Sequence, residues 1–258
     1  GVLFRSRLIP KDQNRGRLFL RHQHQLPYNI SLFTESGFVS DRNFLEQWYE
    51  NEFDQEKDQE TKIAVEQNID NLTLSLMARL QVNDFENSTE WYPKGDLYVL
   101  GEPLFGSPVT WTSHASAGYA NLHRADNPTD ANDLFSPLPF VTGANGEVLM
   151  SRHQLTLPFN VGPLILSPYV VGEAARWGND LTGNNLSRFV GTGGLRGSLS
   201  MSRVFPYVQS DVFNLNGLAH KMVFEFDYSW TDSSEDISRI AQYKDRKSTR
   251  LNSSHVVI

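Results

Sequence analysis

Apolar and polar side chains alternate at every second position over several long stretches of the chain. The first stretch begins at residue 17, and its even positions are Leu18, Leu20, His22, His24, Leu26, Tyr28, Ile30 and Leu32. Its odd positions are Arg17, Phe19, Arg21, Gln23, Gln25, Pro27, Asn29 and Ser31. A period of two is typical of β-strands with one apolar and one polar face. This stretch predicts two strands joined by a turn near residues 25–27.

The same period recurs at residues 72–82, 154–161 and 222–231. Weaker strands are predicted at residues 96–100, 109–122, 164–174, 189–201 and 207–215. Together these stretches predict roughly ten to twelve strands, many of them near the ~9–11 residues that a tilted membrane strand needs.

Short and long connections largely alternate between these strands. Tight turns are predicted at residues 25–27, 68–71, 162–163, 204–206 and 216–217. Long polar connections are predicted at residues 41–60, 124–146 and 178–187, and after Asp232. Bacterial outer-membrane barrels have short turns on one side and long loops on the other. The alternation therefore favours an antiparallel transmembrane β-barrel.

Aromatic residues fall close to the predicted strand ends. They are Trp91, Tyr92, Trp111, Tyr119, Trp177, Tyr228 and Trp230. In a membrane barrel such rings form girdles at the two interfaces. In a water-soluble β protein the same residues would belong to an ordinary core and its rim, and the sequence leaves both interpretations open.

Composition and charge narrow the class of protein. The 258 residues are 39% hydrophobic and 21% charged, which indicates an ordered chain. No segment approaches the ~20 apolar residues of a membrane helix, so a chain that spans a membrane would need a closed barrel. There are no cysteines, which excludes disulfides and thiolate sites. The net charge of −7 argues against nucleic acid as a partner.

The two ends of the sequence suggest a fragment. The chain opens at Gly1 without the pattern of a signal peptide, so we expect a leader to be absent or removed. Residues 246–258 change abruptly to a basic, Ser-rich composition and resemble a recurrent artefact of sequence assembly. We interpret residues 1–245 as part of a barrel domain and residues 246–258 as a non-native tail.

A family resemblance is carried by short motifs in a fixed order. Arg15-Gly16-Arg17-Leu18 and Leu26-Pro27-Tyr28 precede Gly37-Phe38-Val39-Ser40-Asp41-Arg42-Asn43-Phe44. Further matching stretches lie at residues 96–101, 157–159, 168–170 and 213–221. Over residues 10–245 the chain resembles the barrel of the LptD family, also called organic solvent tolerance protein, in its divergent Planctomycetes-like form. The family motif falls on Ser40, Asp41, Arg42 and Phe44.

The resemblance implies a cellular location and a transport function. Members of this family are outer-membrane barrels that are closed around a lipoprotein plug such as LptE. They receive lipopolysaccharide from a periplasmic Lpt bridge and release it into the outer leaflet, without covalent chemistry, cofactor or metal. This sequence departs from the family pattern because it has no preceding periplasmic domain, no cysteines, and about half of the ~26 strands of a large barrel.

If the even face of the first strands meets lipid, the polar odd face lines the lumen. The residues predicted to line it are Arg17, Arg21, Arg79, Glu225 and Asp227. A polar headgroup would pass along that face.

Four other groups of residues are candidates for catalytic, metal-binding or nucleotide-binding sites. Glu46, Glu50, Glu52, Asp54, Glu56, Asp58 and Glu60 form an acidic run that suits a solvated loop, a site bridged to lipid by divalent cations, or a general acid and base. His22 and His24 have a metal-binding spacing but no evident third ligand. Ser113, His114 and His220 lack the nucleophile elbow of a hydrolase. The glycines of residues 191–197 fit no nucleotide-binding fingerprint and indicate bends or close packing.

Three alternatives stay open beside glycolipid transport. The first is a general porin or solute channel. The second is a soluble carbohydrate-binding β-sandwich. The third is a glycoside hydrolase that uses two of the loop carboxylates.

Overall fold

The computed structural model describes residues 14–55, 59–104, 106–126, 144–180 and 182–240. The strands in this part of the chain are β1 (Arg17–Leu26), β2 (Ile30–Val39), β3 (Thr61–Ile69), β4 (Leu72–Leu80), β5 (Ser88–Pro103), β6 (Thr110–His123), β7 (Ala144–Thr156), β8 (Phe159–Val161), β9 (Leu164–Trp177), β10 (Leu186–Ser210) and β11 (Leu215–Ser233). Two helices, α1 (Asn43–Trp48) and α2 (Glu50–Gln55), and a 3₁₀ turn, Ile237–Arg239, complete it. The predicted tail, residues 246–258, lies outside the described residues.

The strands form one antiparallel sheet in which each strand pairs with its neighbours in sequence. The order is β1-β2-β3-β4-β5-β6-β7-β9-β10-β11, and the short β8 pairs with β9. The predicted antiparallel all-β fold is confirmed, and the eleven strands of the described residues fall within the predicted number. Among these residues β1 pairs with β2 alone and β11 with β10 alone, so the sheet is not closed into a barrel.

Connection lengths sort between the two edges of the sheet. Residues 27–29, 70–71 and 211–214 make tight turns, and a short connection joins β5 to β6, at the same end of the strands, which we call the tight-turn edge. Longer connections join β2 to β3, β4 to β5, β6 to β7 and β9 to β10 at the opposite end of the strands, which we call the long-loop edge. The predicted alternation of short and long connections is therefore confirmed, although residues 56–58, 127–143 and 181 of the long connections lie outside the described residues.

Two of the predicted turns are wrong. Residues 204–206 lie inside β10, and residues 216–217 lie inside β11, so the separate strand predicted at residues 207–215 is wrong as well. The pairing of the two strands is irregular between Phe205 and Gln209, and Gly217 lies opposite that irregularity with a φ of 98°. Asn216-Gly217 therefore accompanies a bulge, while Asn214, with a φ of 48°, helps to make the actual turn.

The β10–β11 hairpin extends beyond the rest of the sheet at the tight-turn edge. The last residue of β10 that pairs with β9 is Leu199, opposite Leu164. From residue 200 to Ser210, β10 pairs with β11 alone. One side of this part of β10 is consequently a free strand edge among the described residues.

The register divides the sheet into an apolar and a polar face. Residues directly opposite each other on antiparallel strands point to the same face, so the pairing carries the assignment from strand to strand. The apolar face includes Leu18, Leu20, Val65, Leu74, Leu76, Leu97, Ala115, Leu149, Val170, Leu195, Phe224 and Phe226. Many of these side chains are exposed, as Leu76 is at 55%. The two-sheet sandwich considered from the sequence requires a second layer, and the described residues contain one sheet.

The predicted aromatic girdle is wrong for two tryptophans. Trp91 and Trp177 lie on the polar face, where both are buried in an apolar cluster at the long-loop edge. Trp91 reaches that face because the pairing of β5 shifts between Trp91 and Lys94. Trp111, Tyr119, Tyr228 and Trp230 do lie on the apolar face, and Tyr92 falls in the bulge.

The described residues contain no helix with the length and apolar character that crossing a membrane requires.

Two neighbouring glycines of β10 have different surroundings. A Cβ on Gly194 would lie 2.4 Å from a ring carbon of Tyr169, because the tyrosine ring lies flat against the sheet at this position. A Cβ on Gly193, on the opposite face, would have no atom within 4 Å. The close packing predicted for this glycine-rich stretch is found at Gly194.

We expect Gly194→Ala to destabilise the fold by about 1–3 kcal/mol, because the added methyl group must displace the Tyr169 ring. The matched variant Gly193→Ala should be neutral or stabilising by about 0.5–1 kcal/mol, since alanine loses less conformational entropy. Urea unfolding in detergent, followed by tryptophan fluorescence, measures both free energies. Equal effects of the two variants would contradict the packing at Gly194.

Candidate functional site on the polar face

The five predicted lumen residues all lie on one face of the sheet. Arg21 is opposite Glu35, Glu35 is opposite Lys62, and Lys62 is opposite Arg79. The assignment continues across the sheet through the pairs Thr73–Tyr98, Tyr98–His114, His114–Arg152, Arg152–Glu173 and Glu173–Val190. On the last two strands Arg196 is opposite Asp227 and Ser198 is opposite Glu225. Arg17 shares the odd face of β1 with Arg21.

Charges on the first four strands are paired with opposite charges. Arg21 lies 3.8 Å from Glu35, whose side chain is buried. Glu60, just before β3, lies 3.0 Å from Lys62 and 3.2 Å from Arg79. Arg79 also donates a hydrogen bond to the backbone carbonyl of Thr89 at 2.7 Å. These contacts fix Arg79, whereas Arg21 keeps half of its side chain exposed to the space above the polar face.

The middle of the polar face holds a second group of paired charges. Asp96 on β5 lies 2.8 Å from the Lys94 ammonium and 2.9 Å from Nε2 of His114 on β6. The Tyr98 ring stacks on the His114 ring, with a centroid distance of 4.1 Å. The Asp96 carboxylate is almost fully buried by these neighbours.

A third group lies at the β9–β10–β11 end of the face. Asp227 accepts a hydrogen bond from the Tyr169 hydroxyl at 2.9 Å and from Arg196 Nε at 3.1 Å. The Arg196 guanidinium also lies 4.1 Å from the centroid of the Tyr169 ring. Glu225 stands beside this group in a shallow depression that Ser198 also lines. Cations and anions thus alternate along the polar face, which gives a hydrophilic surface without a dominant sign of charge.

The Ser-Asp-Arg-x-Phe motif joins the start of β1 to the end of β2. Asp41 accepts two hydrogen bonds from Arg15, at 2.7 and 2.8 Å. The Ser40 hydroxyl accepts one from the backbone N–H of Gly16 and donates one to Asp41, both at 3.0 Å. Phe44 is buried, with the Arg15 guanidinium 5.7 Å from its ring centroid. Arg42 occupies the N-cap position of α1. The motif residues therefore have a structural role at the long-loop edge.

Some residues of the predicted acidic run form ion pairs with arginines and lysines. Glu52 on α2 pairs with Arg17, and the guanidinium of Arg17 lies 3.6 Å from the centroid of the Tyr49 ring. The hydrogen bond from Arg17 lowers the pKa of the Glu52 carboxyl. Glu60 is paired with cations of the polar face, as described above. The side chains of Glu46 and Asp54, and all of Glu56 and Asp58, lie outside the described residues.

In the part of the chain that the structure describes, the residues of the other candidate sites do not come together. His22 and His24 stack at 6.0 Å on the exposed apolar face, and no group of three potential metal ligands occurs among the described residues. Ser113 and His114 are neighbours on β6 and point to opposite faces. His220 lies on β11, across the sheet. The glycines of residues 191–197 lie within the regular strand β10.

Asp180, in the loop between β9 and β10, is a buried carboxylate that the sequence analysis did not single out. Its Oδ1 accepts hydrogen bonds from the Thr182 hydroxyl (2.6 Å), the Thr182 N–H (2.7 Å) and the Asn184 N–H (3.0 Å). Its Oδ2 lies 3.5 Å from Arg239. The hydrogen bonds from the Thr182 hydroxyl and the Asn184 N–H lower the pKa of Asp180 to about 2.

The contacts of Arg15, Asp96 and Arg196 were also not predicted, although Arg15 and Asp96 lie in stretches that carry the family resemblance. Arg196 stands in a glycine-rich strand with a period-two polar face, and that pattern would have identified it. The partners of Arg15 and Asp96 lie on other strands, so only the register of the sheet reveals their contacts.

No known family model matches the chain, and a search of curated proteins found no match.

We expect the Arg15–Asp41 pair to contribute more to stability than the Arg196–Asp227 pair, because it is less exposed. Side-chain exposure is 12% and 26% in the first pair and 47% and 49% in the second. Double-mutant cycles with Arg→Gln and Asp→Asn should give coupling energies of about 1.5–3 kcal/mol for the first pair. The exposed pair should give less than about 1 kcal/mol. Equal coupling energies would show that the motif has no special structural role.

We expect the carboxyl of Asp180 to titrate near pH 2 in the folded protein. An ordinary aspartate titrates near pH ~3.9. Since the folded-state pKa is lowered, its stabilising effect is present above pH ~3.9 and is lost as the pH falls through about 2. The amide proton signals of Thr182 and Asn184 report the titration by NMR, and Asp180→Asn is the control without a titrating group. A midpoint near the ordinary value would argue against these hydrogen bonds.

Proposed function

We propose that the chain is part of an outer-membrane β-barrel that moves a lipopolysaccharide or a related glycolipid to the outer leaflet. The observation that carries the proposal is the continuous strand pairing that keeps one face mainly polar and the other mainly apolar across ten strands. A sheet of this kind suits a wall between hydrocarbon and water, because each face then meets its own solvent.

The exposed apolar face supports a membrane location. Leu20 on β1 and Phe224 on β11 stand at opposite ends of the sheet and are exposed by 60% and 54%. Apolar surface on this scale marks an interaction site in a protein. The hydrocarbon of a membrane suits this apolar face as a partner, because lipid chains pack against side chains without a specific geometry.

The paired charges of the polar face support the passage of a polar headgroup. Glycolipid headgroups carry sugars and anionic groups, which need both donors and acceptors. Arg21 and Glu225 are exposed on this face and offer one of each. The proposal includes the partners of the resembled family, an LptE-like lipoprotein plug and a periplasmic Lpt bridge.

Closure of the barrel is part of the proposal. Unpaired backbone groups are not tolerated in a bilayer, so the edges at β1 and β11 must be paired when the sheet is inserted. The two edge strands run antiparallel to each other, and either they pair directly or further strands lie between them. The long-loop edge then faces outward and the tight-turn edge faces the periplasm.

The test uses two neighbouring residues of β1 that point to opposite faces. Leu20→Arg places a charge against lipid and should block assembly, at a cost of about 2–4 kcal/mol near the middle of the membrane. Arg21→Glu should still assemble, because the side chain at position 21 is half-exposed and can turn away from Glu35 into water. It should lower the amount of glycolipid at the cell surface, because it changes the charge along the path. Heat-modifiable migration of outer-membrane fractions measures assembly, and surface labelling of the glycolipid measures transport.

Arg21→Lys keeps the positive charge and serves as the matched control, which should transport like the parent. Assembly of Leu20→Arg equal to that of Arg21→Glu would refute the membrane location. If Arg21→Glu changes the uptake of small solutes and leaves surface glycolipid unchanged, the protein is a solute channel, and the transport role fails.

A further inference from the structure

The chain after β11 folds back over the polar face at the long-loop edge. Ser234 first continues the pairing with β10, because its N–H donates to the carbonyl of Phe189 and its hydroxyl accepts from the Phe189 N–H. The chain then turns through the 3₁₀ segment Ile237–Arg239. We call residues 235–240 the strap.

The last residue of the strap, Ile240, packs into the small apolar cluster that lies on the otherwise polar face. Ile240 is only 6% exposed. The other buried members of the cluster are Trp91, Ala120, Ala175, Trp177 and Leu186. The register places these residues on the same side of the sheet as the paired charges, so the strap contacts the polar face at this end of the strands.

An ion pair holds the strap beside this cluster. Arg239 lies 3.5 Å from Oδ2 of Asp180 and 2.7 Å from Glu235 within the strap itself. The Asp180 side chain has no exposed surface, and Oδ2 makes no hydrogen bond of its own. The Arg239 guanidinium is consequently the cation that balances this buried carboxylate, and it brings the strap to the β9–β10 loop.

We propose that the strap is a gate at the long-loop end of the polar path, closed when Ile240 is docked and Arg239 pairs with Asp180. The inference rests on the proposed function for the nature of the path. Among the described side chains, the strap is held by the buried Ile240, by the ion pair of the half-exposed Arg239 with Asp180, and by a hydrogen bond from the Ser233 hydroxyl to the Glu235 carbonyl. Segments with so few contacts open locally while the rest of the fold stays intact. Release of the strap opens the end of the path.

The docked state is tested by thiol labelling, which the absence of cysteine makes unambiguous. Ile240→Cys and Ser238→Cys are made in the full chain and exposed to a water-soluble maleimide in detergent micelles. Ser238 is exposed and should react at once, while position 240 should react at least about tenfold more slowly. Addition of Arg239→Gln should raise the rate at position 240 about tenfold, whereas Arg239→Lys should leave it slow. Hydrogen exchange of the strap amides in the unmodified chain checks that the cysteine itself does not undock the strap.

Equal rates at positions 240 and 238, together with unprotected strap amides, would refute docking. An unchanged rate at position 240 with Arg239→Gln would refute the ion pair as the latch.

The gate itself is tested by release of carboxyfluorescein from phospholipid vesicles that contain the chain. Arg239→Gln should speed release about tenfold over the parent and Arg239→Lys. Insertion with identical release from all three would overturn the gate and leave the proposed function standing. Failure of the chain to insert would overturn the membrane function and the gate together, while the labelling result would still report whether the strap docks.

Discussion

The pairing register of the strands is the constraint on which the rest of this structure depends. Side chains alternate with a period of two, so a slip of one residue in any pair would exchange the two faces of the sheet beyond it. Here the chain of opposed residues from Arg21 on β1 to Asp227 on β11 keeps every predicted lumen residue on one side. The cross-strand pairs Arg21–Glu35, His114–Asp96 and Arg196–Asp227 depend on that register, because their members belong to neighbouring strands.

Many of the strands, their faces and their connections can be predicted from the sequence. The alternation predicted at residues 72–82 corresponds to β4 (Leu72–Leu80) with its correct faces. The long connections predicted at residues 41–60 and 178–187 correspond to the β2–β3 and β9–β10 connections at one end of the strands. The strand count is recovered as well. These features are local, because each depends on the order of side chains within one segment and on the turn residues that flank it.

The features that were not predicted from the sequence depend on how strands pair and on contacts between residues that are distant in the chain. Trp91 belongs by strict alternation to the apolar face, and only a shift of pairing in β5 transfers it to the other side. Asn216-Gly217 has the composition of a hairpin turn, yet the strand continues through it because β10 supplies partners beyond it. The contact of Arg15 with Asp41 joins residues on either side of the β1–β2 hairpin, which no local pattern encodes.

Beyond Leu199, one edge of β10 is unpaired among the described residues. A bare edge with alternating apolar side chains is a seed for sheet growth between molecules. Pro206 removes a backbone donor from the middle of this stretch, and Arg203 adds a charge beside it. A proline and a charge on an exposed strand edge disfavour pairing with a second chain, so these two residues work against aggregation at the projecting hairpin.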